Sequence, residues 1–528
     1  MLVPHLIIKA AGLFANYFIP NYYDKAIAEV FKVINDSVLN VAFLIGEQCL
    51  APAYLPVFTR ARDEHGEARA WRFTSILFNL QLLILLGFVA CFIFYPEVFV
   101  DWLTEWKGGD PEKMERRALF LKMLPFAAPG LIGMSLASLS YVVLNGYKEF
   151  FYAAFGDSVL KLSVLGGACA GVLLKSTDWR FVAGGAVAGG TLKLATHLLA
   201  LGWRRIRQYR LTFKLSDPYV KAFVLLVLPL LVGVVFSQGR DQIITKALTS
   251  QANLKLYFSQ GRNIADTIQF IVPYTLSIAL LPFFCDLSAR EDNARLGAVL
   301  TQIIRMLAWF FVPVAIALAA ASLPLAQALY EGPKFKGDDI VYSALVSRIF
   351  ALQLPFIATE IMVMQAFFSS RRVIAPTVLG IIFSTLSAGV SYYCVTQGIV
   401  TSAAAILTLV GFSLVLARIL KALLLVVLLR RSVPVLPVAE SLSFVLRIFL
   451  AAGVAGAAAF AASKLNFFDG LVAGGGRWSG KALQLFHAGI IAAATFGVFT
   501  VCSLALKLEE PRQMYAWTRE KFKRRRGK

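Results

Sequence analysis

Charge is scarce in this chain, and negative charge is scarcer still. Only 16% of the 528 residues are charged, with 31 Asp and Glu against 52 Lys and Arg, while 58% are hydrophobic. Soluble domains carry about 25% charged residues, so the composition excludes that class. Histidine is nearly missing: His5, His65, His197 and His487 are scattered, and no zinc or catalytic cluster can be drawn from them. The six cysteines, Cys49, Cys91, Cys169, Cys285, Cys394 and Cys502, lie in apolar segments without metal-ligand spacing. They read as packing residues. There is no GxxxxGK[ST] loop, so the chain is not itself an ATPase. Nor is there a signal peptide with a cleavage site, and the first apolar run reads as a retained helix.

What fills the chain instead is a series of apolar runs of about 20 residues, the mark of an all-α polytopic membrane protein. About fourteen spans are expected, near 2–20, 27–58, 73–96, 119–145, 151–174, 180–202, 222–245, 259–285, 298–329, 341–368, 374–397, 400–429, 441–463 and 484–506. The net charge of +21 sits in short loops and the tail rather than on a nucleic-acid surface. Arg60, Arg62 and Arg69, then Arg204, Arg205, Arg207 and Arg210, then Arg371–Arg372 and Arg430–Arg431 all follow even-numbered spans. The closing KFKRRRGK belongs to the same side, which places both termini in the cytoplasm, against anionic headgroups.

The basic connection 203–221 is the best internal boundary. It predicts a first lobe over 1–202 with spans 1–6, a second over 222–430 with spans 7–12, two further spans over 431–506, and a basic cytoplasmic tail at 507–528. The fourth span of each lobe looks related, MLPFAAPGLIGM in one and LQLPFIATEIMVM in the other. Repeats of this kind are how many transporters build a central site. GGAVAGG at 184–190 would let helices pack closely.

Several spans carry charges where charge is costly, at least ~2.5–3.5 kcal/mol at the bilayer centre. PLLVGVVFSQGRDQIITKAL holds Arg240 and Asp241; the next span holds Arg262 and, four residues on, Asp266. That spacing puts Arg262 and Asp266 on one helix face. It fits a polar groove that handles an anion, a reading favoured over a structural ion pair at a helix end because other spans carry similar charges.

These segments resemble the MurJ/MviN family of lipid II flippases, within the multidrug/oligosaccharidyl-lipid/polysaccharide exporter superfamily. PLLVGVVFSQ at Pro229–Gln238 is similar to the family's seventh span, and IALLPFF at 278–284 to the end of its eighth. Leu144–Asn145, Phe150 and Ala154–Phe155 fit the turn between the fourth and fifth. LPF at 354–356, AF at 366–367 and Pro376 fit the tenth. GEQCLAPAYLPVF at 46–58 resembles the family's AEGAFSQAFVPV and keeps its acid as Glu47. There are departures. Ala42–Phe43 stand where the family has Arg-Arg, and Lys9 stands for one of two first-span arginines. Arg371–Arg372 replace Lys-Asp, Asp157 and Lys161 are new charges, and Lys193 replaces a glutamine.

The resemblance implies two pseudo-symmetric, MATE-like lobes around a central cavity, with the last two spans over 431–506 forming a groove for the lipid tail, in a bacterial inner-membrane protein that is monomeric. It implies a transporter, not an enzyme, moving a polyprenyl-pyrophosphate-linked precursor from the inner to the outer leaflet by alternating access. Substrate-binding candidates are Lys9, Arg240, Arg262, Asp266, Glu29 and Glu47, with Asp157, Lys161, Lys193 and Glu360 as secondary intramembrane charges. Arginine suits a diphosphate because its planar fork makes bidentate, charge-assisted hydrogen bonds. No metal or cofactor is implied. Asp266, Glu29 and Glu360 are the acids through which a proton or sodium ion would couple, besides the membrane potential. Membrane lipids are the expected partners, and nucleic acid is not. The rivals are an exopolysaccharide or O-antigen flippase, a cation-coupled drug exporter, and a membrane-embedded transferase. The last needs an acid–His constellation, and DEH at 63–65 reads better as a solvated loop.

Overall fold

The computed structural model describes residues 2–40, 50–269, 280, 283, 284, 286–288, 290–370, 372, 374–464 and 477–514. Among them every regular element is a helix. This is what bilayer physics requires, since a helix satisfies all its backbone N–H and C=O groups internally. Helix starts repeatedly use an aspartate whose side chain accepts a backbone N–H, as Asp24, Asp110, Asp178, Asp217 and Asp292 do.

Contacts divide the chain into two compact units. The first is Met1–Leu256 with two returning pieces, Gly332–Lys336 and Tyr392–Ile399; the second is Tyr257–Glu331, Gly337–Ser391 and Val400–Lys528. The first holds α1 (Leu2–Tyr22), α2 (Lys25–Ile34) with a π-helical turn at Asn35–Leu39, α3 (Ala51–His65) and α4 (Glu67–Phe94). It continues with α5 (Pro96–Leu103), α6 (Pro111–Ala127), α7 (Gly130–Gly146), α8 (Phe150–Leu173), α9 (Trp179–Leu201) and α10 (Pro218–Leu248). Helix α11 (Leu254–Gln269) begins in the first unit and runs on into the second. The second unit then has α12 (Asn293–Ala320), α13 (Ser322–Tyr330), α14 (Asp338–Ala351), α15 (Leu354–Ser369), α16 (Ile374–Thr396), α17 (Ala403–Leu429), α18 (Val438–Ser463) and α19 (Arg477–Ala505).

This division does not follow the basic connection at 203–221. Val220, Phe223, Val227 and Val234 of α10 are buried in one cluster with Ala53, Tyr54 and Phe58 of α3 and Trp71 and Phe73 of α4. Helix α10, and Arg240 with it, therefore belongs to the first unit.

Seven helices are long and apolar enough to cross a membrane, or up to ten when each bent pair counts as one span. That is fewer than the fourteen expected, among the described residues. The second expected span is interrupted by the π-helical turn at Asn35–Leu39, and the eighth runs into residues outside those described. The related fourth and tenth spans share a device: α6 and α7 meet at 51°, α14 and α15 at 45°. Prolines mark both breaks, Pro125 and Pro129 in one and Pro355 in the other.

The small residues of α9 act as expected. A Cβ on Gly133 of α7 would lie 2.6 Å from the Gly190 carbonyl carbon, and one on Gly185 would lie 2.8 Å from the Ser163 oxygen of α8. His197 of α9 is wholly buried, its ring nitrogens 3.0 Å from the Ala137 oxygen and 3.2 Å from the Ala153 oxygen. It joins α7, α8 and α9.

Candidate functional site

Glu29 lies mid-way along α2, whose face is buried almost throughout, and it is itself 0% exposed. Its Oε2 accepts Arg116 Nε of α6 at 2.7 Å and the Asn253 backbone N–H at 2.7 Å; Oε1 accepts the Lys255 N–H at 3.3 Å. Arg116 also donates to the Asn253 side chain at 3.0 Å. A buried carboxylate needs a cation and further donors to stay charged, and Glu29 has both. It is a tether between α2, α6 and the turn before α11, withdrawn from any water-accessible surface.

One turn further along, the first unit gathers lysines. Lys32 and Lys255 flank Asp36, each at 3.6 Å, and Lys193 meets Asp157 at 2.5 Å. Lys161 stands within electrostatic reach of Lys32, Asp36, Asp157 and Lys193. Among the described residues this cluster brings together four lysines and two aspartates. Asp157 and Lys161 share a helix face as their spacing predicts, but the partner of Asp157 in direct contact is Lys193 on α9. Arg240 pairs with its neighbour Asp241 at 2.8 Å, and Lys9 is exposed on α1. Glu47 lies outside the described residues.

In the second unit Arg262 Nε contacts Asp266 Oδ2 at 3.2 Å, one turn along α11, and both side chains are partly exposed. The guanidinium also lies over the Phe350 ring at 5.7 Å, and Gln269 donates to Asp266 Oδ1 at 2.7 Å. An arginine braced by a ring and a carboxylate keeps its fork oriented while water still reaches it. Glu360 of α15 sits between two cations of α17, Lys421 at 2.8 Å and Arg418 at 3.6 Å.

Sequence reading missed Arg116, Lys32, Asp36, Lys255, Arg418 and Lys421. Two signals were available. Lys32 and Asp36 are four residues apart in an apolar run, and Arg418 and Lys421 interrupt LVLARILKALLL. Arg116 had none, because it precedes the apolar part of its span.

The family model described as lipid II flippase MurJ matches residues 15–472. The probable lipid II flippase MurJ of Bdellovibrio bacteriovorus is 24% identical over 386 residues, 71% of each chain. A solved structure of lipid II flippase MurJ in an inward closed conformation aligns with a TM-score of 0.72, covering 94% of this chain and 98% of that one at 17% identity. An inward-facing multidrug-resistance MATE family transporter aligns at 0.67, covering 80% and 93% at 11% identity. The fold is thus shared with both solved structures, and the extent of the family match settles membership: this multi-pass membrane protein belongs to the lipid II flippase MurJ family.

Proposed function

We propose that the protein carries a lipid-linked sugar diphosphate of the lipid II type from the inner to the outer leaflet of the bacterial cytoplasmic membrane, by alternating access. The observation that carries this reading is the family match over residues 15–472. The intramembrane chemistry supports it. A diphosphate headgroup cannot enter hydrocarbon unaided, so it needs a polar path lined with cations. The braced, partly exposed Arg262 offers such a group. Arg262 takes a diphosphate edge by two parallel N–H donors. No bond of the substrate is made or broken, so these residues bind and orient only.

Of the three acids considered for coupling, Glu29 is saturated by Arg116 and two backbone N–H groups, and Glu360 by Lys421 and Arg418. Asp266 is the acid at which a proton or sodium ion competes with a single arginine, and the membrane potential acts on the cations themselves. Both termini face the cytoplasm in this scheme, and one chain suffices for transport.

The test is flipping in proteoliposomes of the purified protein, with lipid II, an undecaprenyl-diphosphate-linked polysaccharide unit and an organic cation offered separately. Lipid II should cross faster than the other two. Efflux of the cation with no movement of either lipid would overturn the proposal.

A further inference from the structure

A cavity of about 350 Å³ opens in the second unit, at the end of the bundle where α12 and α18 begin and α19 has just finished. Thr301, Gln302 and Arg305 of α12, Glu440 of α18, and Glu509 and Glu510 after α19 line it. Its frame is tightly set. A Cβ on Gly297 would meet the Pro434 backbone, and the Leu436 N–H donates to Thr301 Oγ1 at 2.8 Å. Gln302 donates to Gln513 at 3.3 Å, which ties the segment after α19 to α12.

Two lining groups of opposite sign are incompletely satisfied. Glu510 is 7% exposed, and its Oε2 is buried with no hydrogen-bond partner among the described residues. Arg305 pairs with Glu440 through one terminal nitrogen at 3.3 Å, yet its buried Nε has no partner there either. A buried orphan atom costs its full desolvation, so each calls for a partner. A simple cation would answer Glu510 and leave Arg305 Nε orphaned; a simple anion would do the reverse. A ligand carrying both an ammonium and a phosphate answers both.

The setting indicates the source of such a ligand. Helices α12 and α18, and α19 over Gly480–Ala505, are candidate spans, so their shared end lies at a bilayer surface. Val438, Leu442 and Val445 form an exposed apolar stripe on α18 that starts beside the cavity. We infer that this cavity binds the headgroup of an aminophospholipid, with its ammonium on Glu510 and its phosphate on Arg305, and its acyl chains along α18. The excess of acid over base among the lining residues excludes a diphosphate there, so this headgroup site is separate from that of the transported headgroup and does not rest on the function proposed above.

The test uses full-length protein in detergent, with phosphatidylethanolamine, phosphatidylglycerol, phosphatidylcholine and soluble phosphoethanolamine titrated separately under native mass spectrometry. Phosphatidylethanolamine should bind at least about tenfold more tightly than phosphatidylglycerol, the worth of one charge-assisted hydrogen bond. Phosphatidylcholine should fall between them, because its quaternary ammonium has charge and no N–H. Glu510→Gln should remove the preference. Ala298→Phe, which fills the cavity and leaves its charges in place, should do the same if Glu510→Gln does not fold. Equal binding of ethanolamine and glycerol lipids, a preference that survives both variants, or a cavity that holds water alone would overturn the assignment. Soluble phosphoethanolamine binding as tightly as the lipid would overturn the lipid part of it.

Discussion

The Arg116 guanidinium and the Glu29 carboxylate meet at 2.7 Å with only 4% and 0% of their side chains exposed, 87 residues apart in sequence. Removing one member of such a pair strands a buried charge, at a cost of about 3–5 kcal/mol, whereas replacing both by apolar groups is often neutral. Glu29→Gln and Arg116→Met should each lower the melting temperature, and the Glu29→Gln/Arg116→Met double variant, which keeps an acceptor for the Asn253 and Lys255 N–H groups, should lose less than the sum of the two. An ion-coupling role predicts the contrary pattern, lost transport with an unchanged melting temperature for Glu29→Gln.

Arg262 should be indispensable for transport. Arg262→Ala should abolish flipping, and Arg262→Lys should impair it, since lysine keeps the charge but loses the fork. Asp266→Asn should be milder, because it removes a competitor for the arginine along with its support. Wild-type flipping and lipid binding by Arg262→Lys would mean that the guanidinium touches only water and headgroups.

Helix α10 supplies a ruler for topology. Near its start Tyr219 pairs with His65 at 2.8 Å, and just past its end Thr249 Oγ1 accepts the Glu105 N–H at 3.0 Å. Its 31 residues make roughly 45 Å of helix, enough to separate the two faces of a membrane. In a background without native cysteines, a cysteine at Ser250 should react with an impermeant reagent added outside whole cells. One at His65 should react only after permeabilisation; the reversed pattern would invert the orientation.

The last two helices pack through small residues. Ala451, Ala455, Ala459 and Ala462 of α18 are buried, as are Ala488, Ile491 and Phe499 of α19. Leu446 and Leu450 point away from that seam and are exposed. Tryptophan at either should slow flipping of long polyprenyl substrates more than that of short-chain analogues. Equal slowing of both would mean that this surface only packs.

Fold class was legible because hydropathy alone forces helices in a bilayer, and the Asp and Pro punctuation marks their starts. The unit boundary was not. Whether α10 joins the helices before or after it depends on which apolar face fits Tyr54 and Phe73, and a helix with apolar residues on every side does not advertise that. Intramembrane charges were legible as positions but not as pairs. Lys193 and Asp157 are 36 residues apart on antiparallel neighbours, and no local spacing announces their contact. Glu29 read as a groove residue for the same reason, since its partner Arg116 lies on a segment that looks like a loop.

The close glycine contacts among α7, α8 and α9 bear on how the first unit moves. With Gly133 against Gly190 and Gly185 against Ser163, these backbones lie nearer than any side chain allows. Sliding α9 by three residues would bring Val187 or Lys193 to where Gly190 now sits, and the backbones would have to part. The trio is therefore geared, free to tilt together and locked against ratcheting. Spin labels on the outer faces of α7 and α9 should report one narrow distance through the whole transport cycle, and deuterium should enter their central amides only when the entire trio opens.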